Sequence, residues 1–138
     1  RLQELLGMKT EQVNIKDWYF EGGIKTAAGK CRIVPIHDRI KPFVKALVDE
    51  GNKYLFTYQG KKFSQANYYK CWGEVMEKIG ADKTPHEARH TFETNLDNAK
   101  GNRKCIDMLM GHKSKDVGNR VYNHKTIEQL RETVALLK

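Results

Sequence analysis

Apolar and polar residues alternate early in the chain, then apolar ones recur every three or four positions through most of the rest. Residues 1–7 read as the tail of a helix closed by Gly7. Val13 and Ile15 then alternate and lead to Trp18 and Phe20, a period of two that predicts a strand. Glu21, Gly22 and Gly23 form a turn signal, Ile24, Lys25 and Thr26 continue extended, and residues 27–30 turn again. Residues 31–34 form another strand ended by Pro35, giving a small antiparallel sheet. From there the period lengthens. A helix over 39–50 places Ile40, Phe43, Val44, Leu47 and Val48 on one face, and Gly51 ends it. Residues 54–56 are a short extended piece and 59–62 a loop. Ser64 caps a helix reaching Ile79, with Tyr69, Trp72, Val75, Met76 and Ile79 inward; these aromatics fit a packed face better than a base-stacking platform.

The remaining pattern is helical. A helix from Pro85 to about Asn98 buries Ala88, Phe92 and Leu96. A turn at 100–102 precedes a short helix over 103–110, with Ile106, Leu109 and Met110 inward and Gly111 as its stop. That leaves His112 on a loop. Ser114 caps the next helix, which presents Tyr122. A last helix over 127–137 has Ile127, Leu130, Val134 and Leu137 as its apolar face. The order predicts an α+β fold, predominantly α, in which helices surround a small antiparallel sheet.

A length of 138 residues suits one domain with its own core. Lys and Arg outnumber Asp and Glu by 25 to 17, and the pI is about 9.4. This favours a polyanionic partner, nucleic acid first, although solubility alone makes many domains basic. Cys31, Cys71 and Cys105 are far apart and form no CxxC pair, which predicts free thiols in a reducing compartment. No signal-like or spanning apolar run is present, so a soluble, intracellular protein is expected, with no membrane partner. The chain opens inside a helical pattern without Met and is read as part of something longer.

The chemistry concentrates between Thr84 and Tyr122. Thr84 is an N-cap, Glu87 stands three places on, and Pro85 takes the first helical position, so TPHE is a capping box. His86 falls in the first turn and Arg89 shares its face. Free N–H groups, the helix dipole, an imidazole and a forked guanidinium together predict an oxyanion or phosphate site. HEARH also matches the zinc protease signature H-E-x-x-H. Its context is wrong, because Glu87 is a cap, the motif opens the helix, and no third ligand follows at a familiar spacing.

His86, Arg89, His112 and Tyr122 each supply a different part of phosphoryl transfer. TPHEARHTF, then LMGHKS, then Tyr122 in RVYNH resemble the catalytic signature of tyrosine recombinases, the phage integrase family. RLQELLGMKTEQVNI resembles the segment whose R-x-x-E helix opens with the family's first catalytic arginine, here Arg1. GGIKTAAGKCRIVPI resembles its β-hairpin and implies Lys25 as the catalytic lysine, with Lys30 the fallback. The chain departs at Glu93, where a small residue is usual, and at Val117-Gly118, in a commonly Thr-rich stretch; neither position is expected to carry chemistry. The resemblance covers nearly the whole chain and implies a catalytic domain lacking the DNA-clamping N-terminal domain.

The resemblance further implies strand cleavage without metal or nucleotide. Tyr122 would attack the scissile phosphate to give a 3′-phosphotyrosine and a free 5′-hydroxyl. His86 would take the phenol's proton, Arg1, Arg89 and His112 would stabilise the oxyanion, and Lys25 would protonate the leaving oxygen. Lys30, Arg32, Lys61, Lys62, Lys83, Lys113 and Lys115 are the candidate DNA-phosphate contacts. Double-stranded DNA is the implied partner, with self-association as a tetramer on DNA through the C-terminal helix and a place in the bacterial cytoplasm, on the nucleoid. Packing of that helix on its own domain is the simpler expectation. The rivals are a type IB topoisomerase, which relaxes supercoils by the same chemistry, and a DNA-binding domain without catalysis.

Overall fold

The computed structural model describes residues 1–22, 32–112 and 126–138. Helix α1 (Leu2–Gly7) opens the chain, and a 3₁₀ turn (Thr10–Gln12) leads into strand β1 (Val13–Asn14). Strands β2 (Tyr19–Gly22) and β3 (Arg32–Pro35) complete a three-stranded antiparallel sheet in the order β1-β2-β3. Val13 faces Phe20, and Gly22 faces Arg32. The single strand expected across Val13 to Phe20 is therefore two. The chain reverses between them, and Trp18, at φ 51°, supplies the left-handed residue just before β2. Alternation shows that a segment is extended but does not show a reversal inside it.

Helix α2 (Lys41–Asp49) follows a 3₁₀ turn (Asp38–Ile40) and stops where Gly51 takes φ 69°. Its expected stripe is only partly used: Val44 is buried, whereas Phe43 is 70% exposed. The loop expected at 59–62 is instead the turn and second strand of a hairpin, β4 (Thr57–Tyr58) with β5 (Lys61–Lys62). Gln59 and Gly60 both have positive φ, the conformation of the type I′ turn that matches strand twist. Ser64 caps α3 (Gln65–Lys78), its hydroxyl accepting from the Asn67 N–H. The inward face expected for α3 is half wrong. Trp72 and Met76 are partly covered, but Tyr69, Val75 and Ile79 are exposed.

Helices α4 (Pro85–Asn98), α5 (Arg103–Met110) and α6 (Ile127–Val134) build the core against β3. Leu96, Cys105, Ile106, Leu109, Met110, Leu130 and Val134 form its buried cluster, with Val34, Phe92, Met108 and Leu137 packed on it. Ala88, expected inside, is exposed. The final helix spends its apolar face on its own domain: Leu130 and Val134 lie in this core, and the Leu137 carbonyl meets His37 Nε2 at 3.1 Å. Cys71 and Cys105 are free thiols. Among the described residues no helix is long and apolar enough to cross a membrane.

Candidate active site

Helix α4 begins as its sequence dictates. The Thr84 hydroxyl accepts from the Glu87 N–H, and Glu87 Oε2 accepts from the Thr84 N–H at 2.8 Å and from its hydroxyl at 2.9 Å. Those bonds to Thr84 hold the Glu87 carboxyl below the usual carboxylate range. Glu87 is thus engaged as a cap, away from the role of a metalloprotease base. His86 is exposed in the first turn, its ring edge-on to His90 with centroids 4.6 Å apart.

Arg89 lies one turn further on and is half-buried. Its Nη2–H donates to the Met110 carbonyl at 2.5 Å, at the end of α5. Gly111 follows in the left-handed conformation, φ 65°, and turns the chain so that His112 Nε2 lies 3.5 Å from the same Arg89 nitrogen. A stop signal at Gly111 thus places the imidazole against the guanidinium. Burial lowers the Arg89 pKa, and the nearby charges of Arg1 and Arg32 lower it further. Arg89 and its charged neighbours Arg1 and Arg32 therefore form one electropositive neighbourhood, drawn from α4, the N-cap of α1 and β3. Such a desolvated cluster of like charge favours an anion.

Glu4 makes the cluster tolerable. Its side chain is buried, and Oε2 accepts from Arg32 Nη2 at 2.8 Å. Burial pushes the Glu4 carboxyl up, but the charge of Arg32 and its hydrogen bond hold it below its ordinary value. Arg32 does not occupy the exposed, phosphate-contacting position expected of it. Its side chain is only 12% exposed, bound to Glu4 and pressed on the Gly111 backbone, where a Cβ would collide with it. Arg32 Nε and Nη1 and Glu4 Oε1 are buried with no hydrogen-bond partner among the described residues. This pair was missed as part of the site; the R-x-x-E spacing at Arg1 was the only signal pointing to Glu4.

Behind His112 lies a second group. His112 Nδ1 is 3.6 Å from Asp107 Oδ1 and 3.9 Å from Glu93 Oε1. Arg103 binds both carboxylates, at 3.0 and 2.8 Å, and Asp97 at 2.8 Å. Glu93 therefore borders the site, although it was read as carrying no chemistry. Glu93, Asp107 and His112 bring ligand-type atoms within 4.8 Å of one another. The Arg103 guanidinium already supplies the positive charge there, so the group does not call for a metal ion.

Of the other expected residues, Lys61 and Lys62 are exposed on β5, and Lys62 Nζ lies 5.1 Å from the Tyr54 ring centre. Lys83 is exposed and pairs with Glu87 at 3.4 Å. Lys25, Lys30, Lys113, Lys115 and Tyr122 lie outside the described residues.

A helical domain with a small sheet and this arginine–imidazole cluster has the fold of a tyrosine recombinase catalytic domain. A crystal structure titled XerA recombinase superposes on it with a TM-score of 0.71 at 26% identity, over 96% of this chain and 51% of that one. Residues 1–129 match the model of the phage integrase family, and the chain belongs to that family. It is 30% identical to tyrosine recombinase XerA of Pyrococcus furiosus, over 97% of this chain and 49% of the relative. It is 23% identical to tyrosine recombinase XerD of Vibrio vulnificus, over 96% and 47%. The chain spans about half the length of the curated relatives it matches.

Proposed function

We propose that the chain is the catalytic domain of a site-specific DNA recombinase that cleaves and rejoins strands through a 3′-phosphotyrosine. The observation that carries this is the Arg89–His112 contact of 3.5 Å, set among Arg1 and Arg32 at the end of α5. A guanidinium and an imidazole that share one spot can both donate to the non-bridging oxygens of a single phosphate. The names of the relatives, tyrosine recombinases XerA and XerD, support recombination over supercoil relaxation.

Tyr122 is the proposed nucleophile. A phenol titrates near pH ~10 and is weak at neutral pH, so it needs a base, and His86 in the exposed first turn of α4 is the candidate. Arg1, Arg89 and His112 stabilise the charge that grows in the transition state. Lys25 delivers a proton to the leaving 5′-oxygen, with Lys30 the alternative donor. The phosphotyrosine keeps the energy of the broken phosphodiester, so an incoming 5′-hydroxyl reseals the strand without a nucleotide. Duplex DNA is the partner, and the bacterial cytoplasm, on the nucleoid, is the site of action. Assembly as a tetramer on DNA through the C-terminal helix belongs to the same proposal. Exchange of α6 would require drawing Leu130 and Val134 out of the core.

Cleavage of a suicide DNA substrate tests this reading. The intact protein should form a covalent protein–DNA adduct, Tyr122→Phe should form none, and Arg89→Ala should slow adduct formation at least a hundredfold. That loss corresponds to the ~3–4 kcal/mol typical of removing one oxyanion donor. An adduct that survives Tyr122→Phe would refute the nucleophile. Relaxation of supercoiled plasmid without strand exchange between two sites would favour the topoisomerase reading. DNA binding without any adduct would leave a binding domain.

A further inference from the structure

We propose that Asp107 and Glu93 are positioning residues for His112. They hold the Nδ1 side of its ring, and so turn Nε2 toward Arg89 and toward the phosphate. The inference rests on the reading of His112 as an oxyanion donor.

The geometry has three parts. Two carboxylate oxygens, Asp107 Oδ1 and Glu93 Oε1, face one ring nitrogen at 3.6 and 3.9 Å. Arg89 faces the other at 3.5 Å. The two carboxylates come from different helices, α5 and α4, and Arg103 ties the same two oxygens together at 3.0 and 2.8 Å. An imidazole proton on Nδ1 is thereby directed at negative oxygens. The bond that one ring nitrogen makes decides what the other presents. A ring reversed about its axis would turn Cδ2 toward the carboxylates and Cε1 toward Arg89, losing the contacts of both nitrogens. When Nε2 also carries a proton, that proton stays on nitrogen and is shared with a phosphate oxygen, so no transfer is required of His112.

Folding stability from the most open of these pairs is small. Arg103 is 54% exposed and Asp107 40%, and pairs this open contribute little to folding. Their consequence lies in where His112 points. Arg103 binds the pair of carboxylates from outside, so it fixes them without entering the space between His112 and Arg89.

The test is single-turnover cleavage of suicide DNA by the intact protein. The variants are Asp107→Asn/Glu93→Gln, His112→Ala, and the triple combination. The double variant should cleave about 10- to 100-fold more slowly, the scale on which a misplaced group loses rate, with DNA affinity changed less than about twofold. In the His112→Ala background the same two changes should have no further effect, because positioning needs something to position. Imidazole ¹⁵N shifts of His112 in the DNA complex should move in the double variant. Asp107→Asn alone leaves Glu93 and Asp97 to Arg103 and should show the same pattern with a smaller loss. An equal loss with and without His112 overturns the proposal, as does an unchanged rate. If the protein with Tyr122 intact forms no adduct at all, the recombinase reading falls first and this inference with it.

Discussion

Glu4 carries the balance of charge beneath three arginines, and its removal should be felt more than that of any surface acid. Glu4→Gln removes the carboxylate paired with the buried Arg32, whose Nε and Nη1 have no other partner among the described residues. Breaking such a buried pair costs about 3–5 kcal/mol, which denaturant unfolding would read at neutral pH. The sign of its pH dependence follows from the depressed Glu4 pKa. The contribution is present above the unfolded value of about 4.3 and is lost as pH falls through the lower folded value, so variant and parent should converge in acid. Gly111→Ala should destabilise by about 1–3 kcal/mol and slow adduct formation, since it adds a Cβ at φ 65° against Arg32. At this scale the sequence was partly legible. Arg89 and His112 announced themselves because a helix cap and a glycine stop fixed their backbone. Arg32 did not, because nothing local shows that an arginine will bury against a glutamate 28 positions earlier.

Elements were most readable where both ends carried chemistry. TPHE set the start of α4 to the residue, and Gly111 set the end of α5. Glu87 has its pKa lowered by its bonds to Thr84, so Glu87→Gln should weaken the fold at neutral pH and match the parent once acid protonates Glu87, a comparison thermal melts at two pH values would settle. Periodicity was less informative about what covers a face. α3 has a regular apolar stripe, yet Val75 and Ile79 are exposed because no described element lies over them. Ile79→Lys should therefore shift stability by less than about 0.5 kcal/mol, whereas Leu96→Ala, at a fully buried position, should cost about 2–5 kcal/mol.

The whole molecule carries a formal charge of +8, and the site gathers arginines from α4, β3 and the N-cap of α1 into one place. DNA affinity should fall steeply with added salt, since each phosphate contact releases counterions. Removing Lys61 and Lys62 on the exposed hairpin should lower the slope of log affinity against log salt by about one for each lysine that contacts a phosphate, across unrelated DNA sequences. A slope unchanged by both substitutions would place the DNA elsewhere.

One bond from the interior of this arrangement reaches further than its size suggests. Arg89 already gives an N–H to the Met110 carbonyl, so folding itself has frozen the rotamers of a long, floppy side chain. On the proposed reading, a phosphate arriving there would meet a fork that is standing ready, and the disorder that capture would otherwise have to remove, up to ~2 kcal/mol for an arginine, is already surrendered before binding.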